Sequence, residues 1–238
     1  MSGTHTTVSL NEIGFYITRA AVGVGVPFGV AEDFATAVRW SVCFGIDPAI
    51  VALSCLTALD LDPSLGRIKL LGSREWHTIR GEGGTSVVFA GISMTEIWQG
   101  VALPQNRLTV LSIDYPLLAL AYAAFADGRP VKIEWPGVHA VLDGAGGIVI
   151  QAVDLEALQT RGSVDVMLTA PVSGLANSGD LHITSSDIDA ANHRLLCNGV
   201  ALDAPAWAGI VELFRRCLVP SNEQSRLAGA GAGLVDTD

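Results

Sequence analysis

The sequence predicts an α+β protein in which a helical amino-terminal unit precedes a mixed, largely antiparallel sheet with packing helices. Apolar residues repeat at helical spacing through about the first sixty positions. Short β-branched runs bounded by Gly, Pro and Asp follow, and they predict strands. The amphipathic segment DAPAWAGIVELFRRCL then predicts a final helix. We therefore divide the chain into a helical subdomain, residues 1–62, and an α+β core with a Gly-rich carboxyl-terminal segment, residues 63–238.

Start and stop signals define three helices in the amino-terminal subdomain. Ser9 and Glu12 have the spacing of a capping box, which predicts a helix start at VSLNEI. The segment GVGVPFG, residues 23–29, ends this helix and leads into a second one over VAEDFATAVRWSVCF. Asp47 followed by Pro48 predicts the cap and the first position of a third helix.

The core segment reads mainly as strands. The continuous stretch VKIEWPGVHAVLDGAGGIVI indicates antiparallel strands joined by tight turns, and YPLLALAYAAFADG indicates a buried helix between strands. In the closing helix Asp203 is the expected cap, and Pro220 is expected to end it. The runs predicted as strands are TSVVFAGI, RLTVLSI, VKIEW, HAVLD, GIVIQAV and VDVMLTA.

Composition restricts the partners of this chain. Twenty-four acidic against fourteen basic residues give a net charge of −10, and only two lysines are present, so we expect neither nucleic acid nor an acidic membrane surface as a partner. The longest apolar runs are about a dozen residues, too short to span a bilayer. Half the residues are hydrophobic, which favours a homo-oligomer or a subunit of a complex.

The amino-terminal segment and the cysteines point to a reducing compartment. MSGTHTTVSLNE has neither a basic nor an apolar region of the kind found in signal peptides, so we expect a cytoplasmic protein. The cysteines form no C-x-x-C motif, and we expect buried free thiols. They are Cys43, Cys55, Cys197 and Cys217.

Two glycine-rich motifs are explained more simply as turns than as ligand-binding loops. GVGVPFG invites comparison with dinucleotide-binding loops, but the segment before it has a helical pattern rather than that of a strand, so a connector between helices is favoured. DGAGG, residues 143–147, lies between strands and is expected to form a hairpin turn. No histidine pair has metal-ligand spacing, and we predict neither a metal nor a cofactor.

His77 is the histidine most suited to acid–base chemistry. It lies in SREWHTIRGEGG, between arginines and near Glu82, beside a glycine turn. A histidine next to a carboxylate can transfer protons, although an ordinary loop histidine is the simpler interpretation.

The carboxyl-terminal segment VPSNEQSRLAGAGAGLVDTD is the other candidate site. Its alternating glycines allow backbone amides to converge on an anion, and its arginine can bind a carboxylate or phosphate through two hydrogen bonds. A mobile tail is the alternative. The candidate substrate-binding residues are Ser225, Arg226, Gly229, Gly231 and Gly233, and the candidate catalytic residues beside His77 are Asp236 and Asp238.

Both ends of the sequence resemble a bacterial family of unknown function, DUF3726. The resemblance is carried by SLNEI, by GVGVPFGVAEDFATAVRW and by the VPSNEQSRLAGAGAGLVDTD ending. The resemblance implies no activity, but it favours an ordered carboxyl-terminal element over a mobile tail. Arg39 and Trp40 belong to this signature, and pairing of Arg39 with Glu32, Asp33 or the terminal aspartates is one structural explanation for the arginine.

Two functions from different classes are compatible with these features. The first is an enzyme or enzyme subunit of small-molecule metabolism that acts on a small polar anion, bound by Arg226 and the glycine-rich segment. The alternative is a non-catalytic partner subunit or an oligomeric interaction module, in which the glycine-rich segment packs against another chain. The first is favoured, and the sequence names neither its reaction nor its substrate.

Overall fold

The computed structural model describes residues 5–72, 77–100, 107–126, 128–171 and 181–218. Within these ranges eight α-helices surround an eight-stranded mixed sheet, with a separate two-stranded sheet, so the predicted α+β class with a helical amino-terminal unit is confirmed. No helix in the described ranges is long and apolar enough to cross a membrane. The division at residue 62 stays a prediction.

The three predicted amino-terminal helices form. The backbone N–H of Glu12 donates to Ser9 Oγ at 3.2 Å and that of Ser9 donates to Glu12 Oε2 at 2.8 Å, which completes the capping box. Asp47 accepts from the backbone N–H of Ala49 and Ile50, and Pro48 is the first helical residue. The helices are α1 (Leu10–Gly23), α2 (Phe28–Ser41) and α3 (Pro48–Leu61).

The large sheet combines a meander with one parallel connection. Its strand order is β2-β3-β4-β8-β5-β6-β7-β9, and β5, β6 and β7 are consecutive antiparallel neighbours, as predicted. Its strands are β2 (Ile68–Gly72), β3 (His77–Gly81), β4 (Arg107–Ile113), β5 (Val131–Trp135), β6 (Val138–Leu142), β7 (Ile148–Ala152), β8 (Val164–Thr169) and β9 (Leu181–Thr184). Strand β3 runs parallel to β4.

The prediction of a strand at TSVVFAGI is wrong, because these residues open the helix α4 (Val87–Gly100), which connects β3 to β4. A continuous apolar run does not distinguish a buried strand from a buried helix. Here Val87, Val88, Met94 and Trp98 are all buried, so the helix has no clear polar face. The close approach of Gly91 to Tyr122 in the predicted buried helix α5 (Pro116–Ala124) then fixes the packing.

The end of the described chain returns to the amino-terminal helices. The small sheet pairs β1 (His5–Val8) with β10 (Val200–Asp203), and α8 (Ala204–Arg215) packs on α1 and α3. Asp203 caps α8 as predicted, accepting from the Ala206 N–H at 2.9 Å. Two further helices, α6 (Leu155–Leu158) and α7 (Ser185–Asn198), were not foreseen, and α7 follows β9 directly.

Candidate functional site

Three adjoining hollows form a groove along α2, which we call the α2 groove. Their volumes are about 120, 300 and 250 Å³, so the second reaches the lower end of the range of about 300–1,000 Å³ usual for small-molecule sites. Trp40 lies in the walls of the first two hollows, and Thr36 and Phe125 lie in the walls of the second and third. The hollows therefore adjoin one another, between the amino-terminal helices and the ends of α5 and α7.

Helix α2 builds one wall of the groove because its two sides differ. Phe34 and Val38 are fully buried in the core, whereas Thr36, Trp40 and Cys43 recur at spacings of four and three and are only partly buried. The buried side holds the helix against the core. The side that faces the groove can therefore carry polar groups without loss of the helix.

Arg39 is the cation of the groove. Its side chain is partly buried in the wall of the second hollow, and its Nε is buried without a hydrogen-bond partner. Within the described ranges Arg39 forms no ion pair, so the expected pairing with Glu32 or Asp33 is not found, while the terminal aspartates lie outside the described residues. A buried guanidinium N–H without an acceptor is unusual in folded proteins, so Arg39 stands out as a cation that lacks an acceptor among the described residues.

Helix α7 contributes polar groups to the wall of the second hollow. Asp189 and Asn192 line it beside Thr36 and Cys43. The Thr36 hydroxyl donates to the Glu32 carbonyl at 2.9 Å, so its lone pairs remain available as acceptors. Burial raises the pKa of the Cys43 thiol, with a smaller opposing effect of Arg194, so this thiol is neutral at pH 7.

The two glycine-rich motifs singled out in the sequence are confirmed as turns. GVGVPFG connects α1 to α2, and the N–H groups of Val24, Gly25 and Val26 donate to carbonyls at the end of α1. In the β6–β7 turn, Asp143 accepts the N–H groups of Ala145 and Gly147, each at 2.8 Å. These backbone hydrogen bonds lower the pKa of Asp143. In both turns, the N–H groups that make these hydrogen bonds are already paired within the protein.

His77 lies at the start of β3, opposite Gly72, and its Nδ1 is buried without a partner. Strand β3 is four strand positions from β6, about 19 Å at the usual spacing, and His77 is not among the residues that line the α2 groove. Its predicted catalytic role stays a prediction. The other candidate residues, Ser225, Arg226, Gly229, Gly231, Gly233, Asp236 and Asp238, lie outside the described residues.

A second cluster of charged groups lies on the sheet. His139 Nδ1 and Lys132 Nζ both contact Glu134 Oε1, at 2.6 and 2.8 Å. Burial opposes ionisation of Glu134, but the hydrogen bonds from Lys132 and His139 outweigh it and lower the pKa of that carboxyl. Leu142 lines the groove, whereas His139, three residues earlier on β6, points to the other face, so this cluster is separate from the groove.

The sequence contains only a partial signal for these residues. Arg39 and Trp40 belong to the pattern that resembles DUF3726, but Asp189 and Asn192 belong to a helix that the sequence does not predict. Glu134 and His139 are brought together by the antiparallel register of β5 and β6. Within the described ranges no group of three or more His, Cys, Asp or Glu side chains has the arrangement of a metal site.

Solved structures with a similar fold are dehydrogenases. Malate dehydrogenase from Entamoeba histolytica has a TM-score of 0.57 at 8% identity, covering 92% of this chain and 99% of the other. A dehydrogenase from Sinorhizobium meliloti has 0.57 at 12%, covering 89% and 100%. Sulfolactate dehydrogenase from Methanocaldococcus jannaschii has 0.53 at 10%, covering 89% and 97%. At such low identity the likeness shows the fold alone.

Sequence comparison reaches less of the chain. No curated protein sequence matches it. The model of a family described as "Protein of unknown function (DUF3726)" matches residues 8–62, which include α1, α2 and α3. The resemblance to DUF3726 is therefore confirmed, and it is carried by the amino-terminal helices, of which α1 and α2 contribute to the groove.

Proposed function

We propose that the protein is an enzyme of small-molecule metabolism that binds a small anionic hydroxy acid in the α2 groove. The observation that carries the proposal is Arg39, a partly buried cation with an unpartnered Nε in the wall of a hollow of about 300 Å³. Arginine suits this task because its planar guanidinium can form two parallel hydrogen bonds to one carboxylate.

Helix α7 supports a ligand that also has a hydroxyl group. Asp189 is exposed, lines the first and second hollows, and has no ion-pair partner within the described ranges. Its carboxylate can accept a hydrogen bond from the hydroxyl of a ligand whose anionic end lies on Arg39. Asn192 and Thr36 add neutral hydrogen-bonding groups around the same hollow.

The dehydrogenases with this fold agree with that ligand class. Two of them are named for malate and sulfolactate, which are both small hydroxy acids with two anionic groups. Oxidation of a hydroxy acid also requires an acceptor for the hydride, commonly a dinucleotide whose phosphates bind free backbone N–H groups. In the turns at residues 23–29 and 143–147, the N–H groups of Val24, Gly25, Val26, Ala145 and Gly147 are paired within the protein. No step of the proposal runs through a dinucleotide.

The test compares Arg39→Met with Arg194→Met. Arg194 belongs to α7 and is exposed, and it does not line the groove, so its variant removes the same charge without removing the proposed contact. We expect titration calorimetry with malate to show binding by the wild type and by Arg194→Met. Loss of a charge-assisted hydrogen bond, worth about 1.5–3 kcal/mol, should weaken binding by Arg39→Met about tenfold to a hundredfold.

Thermal unfolding of the same variants separates a ligand-binding role from a structural one. If Arg39 serves a ligand, removing its unpartnered buried N–H should leave stability unchanged or increase it by about 1 kcal/mol. If Arg39 stabilises the fold, Arg39→Met should be clearly destabilised. Failure of the wild type to bind malate, sulfolactate or a related hydroxy acid would refute the proposal.

A non-catalytic partner subunit is the second candidate, because several large apolar side chains are exposed. Phe28 is 57% exposed and Leu61 is 81% exposed. Phe15 is also exposed, beside the aromatic cluster of Tyr16 and Phe214 between α1 and α8. Light scattering should report a mass above that of one chain if these side chains serve an interface, and polar substitution of Phe15 and Phe28 should then reduce it.

A further inference from the structure

We infer that Gly14 of α1 is a positioning residue for Arg39, and that the absence of a side chain there sets the direction of the guanidinium in the α2 groove. The inference rests on the proposed function. A Cβ added at Gly14 would lie 3.0 Å from Arg39 Cδ, 3.5 Å from Nη1 and 3.8 Å from Nε. The three nearest atoms to that position all belong to Arg39, so this arginine is its main neighbour.

The contact brings the Arg39 side chain to α1. Its Cδ lies nearest to the position of an added Gly14 Cβ, followed by Nη1 and Nε, so the side chain passes over α1 at a position where no other side chain blocks it. Arg39 also lines the second hollow. Gly14 therefore leaves the space in which the guanidinium is held beside that hollow.

A glycine at this position is unfavourable for the helix itself. Gly14 lies in the interior of α1, where glycine is less favourable than alanine by about 1 kcal/mol. No positive φ is recorded at Gly14, so its backbone conformation does not require glycine. The space that the Arg39 side chain needs is the remaining reason for a residue without a Cβ.

Gly14→Ala should therefore disturb a neighbouring side chain, which substitution of a glycine without close neighbours would not do. A distance of 3.0 Å is tighter than ordinary van der Waals contact, so the methyl group should displace Arg39 Cδ by a few tenths of an ångström and turn the guanidinium. Gly29 of α2 is the matched control, because a Cβ added there meets nothing within 4 Å.

The experiment measures malate binding by calorimetry for the wild type, Gly14→Ala and Gly29→Ala. We expect Gly29→Ala to bind like the wild type and Gly14→Ala to bind about tenfold more weakly. Equal affinities of all three proteins would overturn the inference and leave the proposed function intact. Failure of the wild type to bind would refute the proposed function instead.

A thermal cycle tests the contact without any ligand. In an Arg39→Ala background the added methyl group has no arginine to displace, so Gly14→Ala should raise the melting temperature as an ordinary helix substitution does. In the wild-type background the same change should raise it less or lower it. If Gly14→Ala lowers the melting temperature equally in both backgrounds, the residue serves helix packing rather than Arg39, and the inference is wrong.

Discussion

Replacement of Asp114 by asparagine should make the protein more stable at neutral pH, and the gain should disappear in acid. Asp114 follows β4 and accepts the Val87 N–H at 2.8 Å, so it caps the first turn of α4. Burial raises the pKa of its carboxyl to about 6, although the hydrogen bond from Val87 acts in the opposite direction. Asparagine resembles the protonated carboxyl in shape and keeps an oxygen for Val87.

The direction in which stability changes with pH follows from the difference between the folded and unfolded pKa of Asp114. In the unfolded chain the carboxyl ionises with the ordinary aspartate pKa of 3.8, whereas burial raises this pKa to about 6 in the folded protein. The folded state therefore binds more protons between these values, and stability falls as the pH rises through this window. A difference of about two pKa units, at about 1.4 kcal/mol each, sets an upper limit of about 3 kcal/mol.

Urea unfolding of the wild type and Asp114→Asn at pH 4, 5, 6 and 7.5 measures this effect. The free-energy difference between the two proteins should be small at pH 4, grow in favour of the variant up to pH 6, and stay constant above pH 7. Asp143→Asn is the control of opposite sign, because backbone N–H groups lower the pKa of this exposed carboxyl. Its stability loss should stay constant from pH 5 to 7.5, unlike the effect at Asp114, because the folded pKa lies below the unfolded value of 3.8 and the loss declines only in more acidic solution.

Two results would refute the reasoning about Asp114. One is an Asp114→Asn protein that is less stable than the wild type at pH 7.5, which would mean that the charge on the cap is favourable. The other is a free-energy difference that does not change with pH, which would mean that the carboxyl ionises alike in the folded and unfolded chain.

Three further outcomes are expected. Gly91→Ala should lower the free energy of unfolding by about 1–3 kcal/mol in urea titration, because the new methyl group would overlap the tyrosine ring of α5. Iodoacetamide should label exposed Cys197 first and Cys43 slowly at pH 7, since burial raises the pKa of the Cys43 thiol, and equal rates would contradict this. Lys132→Met should raise the pKa of the Glu134 carboxyl in NMR titration by removing a hydrogen-bond donor that lowers it, and an unchanged pKa would show that the 2.8 Å contact is weak in solution.

Elements with local start and stop signals were predicted well from the sequence. The capping box at Ser9 and Glu12 and the cap at Asp47 are interactions between residues three apart or fewer, so the sequence contains both partners. The meander of β5, β6 and β7 was foreseen for the same reason, because its turns join neighbouring segments. These parts of the fold depend little on the rest of the chain.

Elements buried on several sides were predicted poorly. The helix α4 has apolar residues around its circumference, so its periodicity carries no information, and only packing against α5 and the sheet decides its conformation. The helix α7 has the opposite difficulty, since few of its side chains are buried and its pattern is polar. Both needed the tertiary structure.

The candidate site illustrates the same division. By itself the sequence determined the class, the acidic balance, the amino-terminal helices and the resemblance to DUF3726, because composition and short-range spacing are complete in the linear chain. Only the tertiary structure set Arg39 against Gly14 and in the wall of a hollow that Asp189 also lines. Asp189 lies 150 positions after Arg39 in the chain. Residues so far apart in sequence are brought together by tertiary packing, which no local sequence pattern predicts.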